Sequence, residues 1–156
     1  MKALILFESY FGNTEKVARA CADGLAGKAE VSVVRVNEVL PDALTGIDFL
    51  LLASPTRGFR PGTATQAFLK ALTPGSLAAV KAAAFDTRID PDDIKSGMLR
   101  FMVKSFGYAG KAMQAALAKA GAVMVAEPEG FFVTASEGPL KEGELERAGE
   151  WIKGLI

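Results

Sequence analysis

Apolar residues along this chain fall into short continuous runs, separated by stretches in which they recur at helical spacing. Ala3-Leu4-Ile5-Leu6-Phe7 is such a run, the pattern of a strand buried on both faces. Gly12 and Asn13 end it, and Val17, Cys21 and Leu25 then mark one stripe of a helix that stops near Gly27. Val31, Val33, Val34 and Val36 predict a second, β-branched strand. A turn-rich stretch from Pro41 to Gly46 follows, with room for a short extra helix, and then a third strand over Ile47 to Ala53. Ser54 to Gly62 carries two prolines and two glycines and is expected to be a long loop, unlike a tight hairpin turn.

Helical spacing resumes at Ala64, Phe68, Leu69 and Leu72 and stops at Pro74-Gly75. Leu77 to Phe85 contains a fourth strand, with Lys81 near its start, and its end runs Phe85-Asp86-Thr87-Arg88-Ile89. Residues 86–110 are expected to form a third long loop before a helix over Gly110 to Ala120. Val123 to Val125 begins a fifth strand, which resumes at Phe131-Phe132-Val133 after a Pro-Glu-Gly interruption. Leu145, Ala148, Ile152 and Leu155 predict the inner stripe of a last helix.

Strands alternating with helices, each strand apolar throughout, imply a parallel sheet covered on both faces. The expected fold is therefore α/β: one domain over 1–156, a three-layer doubly wound five-stranded sheet in order 2-1-3-4-5. Ligands in such sheets bind beyond the carboxyl ends of the strands, where strands one and three diverge. That points to loops 8–14, 54–62 and 86–110.

Charge and composition narrow the chemistry. Lys plus Arg and Asp plus Glu number 18 each, so a nucleic-acid or polyanion binder is not expected. The chain has no histidine and one cysteine, Cys21, which removes His-dependent catalysis, CxxC chemistry and His-ligated metal sites. Cys21 lies on the inward helical stripe and is expected to be a buried, inert thiol. Asp90, Asp92 and Asp93 are read as a solvated turn, and Glu142 to Glu150 as the outer face and first turns of the last helix. Trp151, on that helix, is expected to pack or to anchor at the surface. The N-terminal apolar run is too short for a signal peptide, and no stretch reaches the roughly 20 apolar residues that span a bilayer. A cytoplasmic protein without membrane insertion is expected.

The turn Ser9-Tyr10-Phe11-Gly12-Asn13-Thr14 is the most informative loop. A strand enters it and a helix leaves it, so unpaired N–H groups and the positive end of the helix dipole face whatever lies in the turn. Gly12 admits a close ligand, and Ser9 and Thr14 supply hydroxyls. This is an anion site built without lysine. Taken alone, the turn leaves a second reading equally open, in which Ser9 and Asn13 only cap the helix. No GxGxxG follows the first strand, and Gly27-Lys28-Ala29 lacks the glycine spacing and hydroxyl of a P-loop.

Phe7-Glu8-Ser9-Tyr10-Phe11-Gly12-Asn13-Thr14-Glu15 resembles the phosphate loop of flavodoxins, an apolar strand followed by Ser/Thr-x-x-Gly-Asn-Thr. The resemblance implies FMN as cofactor, with Ser9, Thr14 and the amides of residues 10 to 14 around its phosphate. Phe11 stands where many flavodoxins have a hydroxyl. Pro55-Thr56-Arg57-Gly58-Phe59 is similar to the flavodoxin loop after strand three, which edges the flavin ring. It implies Phe59 as a ring contact, Gly58 as the peptide that turns toward the flavin N5, and Arg57 as a cation near the ring. In the third loop, Thr87 and the backbone of Asp86 and Arg88 are assigned to the pyrimidine edge. Tyr108 or Phe106 either stacks on the ring or packs beneath the helix start. The stretch from Phe132 to Glu146 is similar to the tail of short bacterial relatives.

The resemblance implies an electron carrier, a monomer or weak dimer passing electrons between a reductase and an acceptor protein. Carriers of this family are acidic, whereas this chain is neutral, so an acidic patch at residues 86–93 is the expected substitute. Two alternatives stand beside it: a small FMN-dependent NAD(P)H:quinone-type reductase, and a flavin-free interaction domain of the same fold.

Overall fold

A computed structural model of the chain describes residues 1–156. The apolar runs become strands β1 (Lys2–Phe7), β2 (Glu30–Arg35), β3 (Phe49–Pro55) and β4 (Lys81–Ile89). The interrupted fifth run becomes two short strands, β5 (Val123–Met124) and β6 (Glu129–Val133). All pairings are parallel, in the order β2-β1-β3-β4-β5, and β6 continues along β4 beyond β5. The expected order 2-1-3-4-5 is therefore observed, with the fifth position shared by two segments.

Helices α1 (Asn13–Gly24) and α5 (Glu144–Lys153) cover one face of the sheet, and α2 (Thr63–Ala71) and α4 (Ala109–Lys119) the other. The strand period of two decides which residue goes where. Ile5, Phe7, Phe49, Leu51 and Phe85 pack with Val17, Cys21, Ala148 and Ile152, while Leu4, Leu6, Leu50 and Leu52 pack with Met113 and Leu117. Both faces of the central strands are thus apolar, which is why their sequences do not alternate. Trp151 closes the first layer, edge-on to Phe85 and Phe131 at 6.3 and 5.9 Å between ring centres. No helix is long and apolar enough to cross a membrane.

The short extra helix allowed between β2 and β3 takes the form of two 3-10 turns, Val36–Glu38 and Pro41–Leu44. Three expectations change. Residues 86–110 are not a loop: β4 runs to Ile89, a 3-10 turn covers Pro91–Asp93, and helix α3 spans Gly97–Phe106 behind a Ser96 cap. The loop after β3 ends in a tight hairpin, with Gly58 and Phe59 both at positive φ (54° and 68°) and reciprocal Arg57–Arg60 backbone bonds of 2.7 and 3.1 Å. In α5, Leu145 faces solvent and Glu144 faces inward, so the acidic run is not wholly an outer face.

Candidate functional site

Three anchors bring the strand ends together. Glu8, just after β1, is buried and its Oε1 accepts from the Thr65 N–H at 2.6 Å and hydroxyl at 2.8 Å. The carboxylate therefore caps the first turn of α2 and draws the β3 loop beside the β1 loop. Gly62 permits this, because a Cβ there would lie 2.0 Å from Glu8 Oε2. Ser54 Oγ accepts from Gly62 N–H at 2.8 Å and closes the same loop from within.

The second anchor sits at the end of β4. Arg88 donates to both oxygens of the fully buried Asp86 carboxylate, at 2.6 and 2.7 Å. Gly110 N–H donates to the same carboxylate at 2.8 Å, fixing the start of α4. Burial pushes the Asp86 carboxyl above the usual carboxylate range, against the pull of Arg88 and the Gly110 amide. The Arg88 guanidinium stacks 3.8 Å from the Tyr108 ring centre, and Tyr108 donates to the Ile89 carbonyl at 3.2 Å.

The third anchor lies after β6. Asn13 Nδ2 donates to the Glu137 carbonyl at 3.1 Å, and Gly138 (φ 97°) leaves room for it, since a Cβ there would lie 2.5 Å from Nδ2. Glu144, at the start of α5, accepts from Phe132 N–H at 2.7 Å and from Arg147. Burial opposes its ionisation, but Arg147 and the Phe132 amide hold its carboxyl below the ordinary range.

Between these anchors lies a cleft of about 110 Å³, lined by Ser9, Tyr10, Phe11, Asn13, Thr14, Pro55, Thr56, Arg57, Thr87, Arg88, Ile89, Val133 and Ser136. Five aliphatic hydroxyls, the Tyr10 phenol and two arginines line it, and no carboxylate does. Thr14 and Thr87 hydroxyls bond each other at 2.8 Å, and Ser9 Oγ accepts from Gly12 N–H at 3.0 Å. Gly12 adopts φ 90°, a conformation open to glycine. The N–H groups of Tyr10, Phe11, Asn13, Thr14 and Glu15 meet no acceptor within the protein. Unpaired amides at the positive end of α1, hydroxyls and two guanidinium groups form an anion-binding donor set. Arg57 lies over the Tyr10 and Phe11 rings, 5.0 and 5.8 Å from their centres, at the mouth.

Of the expected site residues, Ser9, Tyr10, Phe11, Asn13, Thr14, Pro55, Thr56, Arg57, Thr87 and Arg88 meet in this cleft. Gly12 shapes the turn without lining the cleft. Gly58 and Phe59 form the hairpin tip outside it, and Phe59 packs on Phe106 with 5.5 Å between ring centres. Asp86 and Tyr108 act behind it, holding Arg88 from below and from the side. Ile89, Val133 and Ser136 were not expected. The rule that ligands sit beyond strand carboxyl ends would have included Val133 and Ser136 had it been applied to the last strand. The acidic patch expected at 86–93 is largely spent internally: Asp86 on Arg88, and Asp90 and Asp93 on Lys141 at 3.2 and 2.7 Å.

No protein-family model and no curated protein matches the sequence. Solved structures match in shape. Oxidised flavodoxin 2 from Bacillus cereus superposes with a TM-score of 0.77 at 23% identity, over 97% of this chain and 95% of that one. A flavodoxin from the domain Archaea gives 0.72 at 18% identity, over 99% and 96%. Rubredoxin oxygen:oxidoreductase from Desulfovibrio gigas gives 0.73 at 17% identity, over 99% of this chain but 35% of that one. The chain has the flavodoxin fold.

Proposed function

We propose that the chain binds FMN in this cleft and serves as an electron carrier between a reductase and an acceptor protein. The observation that carries the reading is the carboxylate-free cleft at the switch point, where unpaired α1 amides meet five aliphatic hydroxyls, the Tyr10 phenol and two arginines. This donor set fits a phosphate monoester. The likeness to flavodoxins supports the choice of flavin over other phosphate esters.

Bound flavin would supply reversible one- and two-electron chemistry, while the protein supplies binding, orientation and charge. Ser9, Thr14 and the unpaired amides of Tyr10, Phe11, Asn13, Thr14 and Glu15 would hold the phosphate. The cleft is smaller than the roughly 300–1,000 Å³ of sites that enclose whole ligands. It therefore suits one end of the cofactor, with the ring end left to the mouth beside Tyr10, Phe11, Arg57 and Arg88. Arg57 and Arg88 place positive charge there, which favours electron-rich forms of a bound ring. Asp86 keeps Arg88 in that position.

Titration with FMN, followed by quenching of flavin fluorescence, tests the reading. Saturation at micromolar FMN is expected, and its absence would sink both the carrier and the reductase alternatives. In the loaded protein, slow oxidation of NAD(P)H with or without added quinone is expected. Rapid turnover would favour the reductase.

A further inference from the structure

The net charge is zero in total but segregated along the chain. No Asp or Glu occurs from Phe49 to Phe85 or from Ile94 to Ala126. The fold brings cations from both stretches to the face that carries the cleft. The Arg57–Arg60 hairpin meets the end of α3 through the Phe59–Phe106 contact. Lys104 and Lys111, with Arg88, line a groove of about 380 Å³ where α3 gives way to α4, and Arg88 also lines the cleft. None of Arg57, Arg60, Lys104 and Lys111 forms an ion pair. The nearby acids are few: Glu127 edges the groove, Asp92 lies on the 3-10 turn, Glu137 follows the cleft-lining Ser136, and Asp86, Asp90 and Asp93 are paired.

The same face is apolar where it is not basic. Met98, Phe101 and Phe106 of α3 are 75%, 69% and 68% exposed, and Tyr10 and Phe11 at the cleft mouth are each 48% exposed. Helix α3 buries only Val103. Large side chains gathered this way on a surface mark an interaction site.

We propose that this face, from the cleft mouth across the 57–60 hairpin to α3 and the Lys104–Lys111 groove, docks an acidic redox protein whose carboxylates ring an apolar contact. The proposal rests on the electron-carrier reading and names the partner's charge. Unpaired cations around an apolar centre complement such a surface. A second copy does not fit, because a two-fold contact would set the same cations against each other. An anionic bilayer does not fit either, because it would cover the cleft mouth without itself supplying or accepting the electrons exchanged there.

The test uses amide chemical shifts of the isotope-labelled chain, with and without FMN, on adding a plant-type [2Fe–2S] ferredoxin as an acidic probe or cytochrome c as a basic one. Ferredoxin is expected to shift amides of residues 57–60 and 98–111 at about 0.01 M ionic strength, with the shifts fading by about 0.3 M. Cytochrome c is expected to leave them in place. The double variant K104E/K111E should weaken ferredoxin binding about tenfold or more. Because neither lysine lines the cleft, FMN affinity should be unchanged. Four results would each overturn the proposal: no shift with ferredoxin, equal shifts with cytochrome c, sedimentation as a dimer through this face, or co-sedimentation with phosphatidylserine vesicles in place of ferredoxin binding. The FMN titration of the same samples reports separately on the electron-carrier reading.

Discussion

Thr14 shows how one side chain serves both fold and site. It is almost wholly buried, yet it lines the cleft, and its hydroxyl ties the start of α1 to Thr87 of β4. Each hydroxyl carries one hydrogen, so when one donates to the other, the second hydrogen is free for a ligand. Thr14→Val keeps the shape, removes this shared donor and leaves Thr87 unpaired. FMN affinity is expected to fall by about tenfold to a hundredfold, the equivalent of about 1.5–3 kcal/mol for a hydrogen bond to a charged group. Fluorescence titration of T14V against the parent measures it, and an unchanged affinity would remove Thr14 from the phosphate seat. Residues of this kind were legible in the sequence because the glycine, the hydroxyls and the strand–turn–helix setting are contiguous. Phe59 was not. Its left-handed backbone (φ 68°) turns the ring away from the cleft and onto Phe106, and nothing in an isolated aromatic at a loop tip announces that conformation.

Elements were legible where their apolar positions face the core, and illegible where they do not. Helix α3 escaped because its apolar residues point outward: Met98, Phe101 and Phe106 are exposed, and the inward stripe reduces to Val103. The last helix escaped in part, because Glu144 takes an inward position to pair with the Phe132 amide and Arg147. That inversion has a pH consequence. A carboxyl held below its unfolded value contributes stability above that value, and the contribution is lost as pH falls through the folded value. Stability of the parent should therefore decline as pH drops below about 4.5, the ordinary value for Glu144. Glu144→Gln should flatten that part of the profile, as urea midpoints at stepped pH would show. A parallel pair of profiles would remove Glu144 from the acid response. The α1–α5 contact makes a second demand on its sequence. A Cβ on Gly24 would lie 2.7 Å from Gly149 O and 2.7 Å from Ile152 Cγ2. Gly24→Ala must push the helices apart and should cost about 1–3 kcal/mol, despite the better helix propensity of alanine. Thermal unfolding that leaves G24A as stable as the parent would contradict this packing.

At the scale of the whole molecule, the cleft joins parts of the chain that are remote in sequence. Its lining comes from the ends of β1, β3, β4 and β6, so a ligand there bridges strands from both halves of the sheet. Binding should therefore resist global unfolding and not merely order one loop. For a ligand that binds only the folded chain, stabilisation at a hundredfold excess over the dissociation constant is about 2.7 kcal/mol. For a chain of this length that raises the melting temperature by roughly 5–10 °C. FMN is expected to produce this rise and to sharpen a single transition. Riboflavin, which has the ring without the phosphate, is the decisive comparison. The α1 amides and the hydroxyls of Ser9 and Thr14 gather at the end of the cleft proposed to take the phosphate. The mouth offers two half-exposed aromatic rings and two arginines, with Phe59 engaged elsewhere. Riboflavin at the same concentration should accordingly raise the melting temperature much less than FMN, and inorganic phosphate should compete with FMN. If riboflavin stabilises as well as FMN, the binding energy resides at the ring, and the seat built by residues 9–14 is not what holds the cofactor.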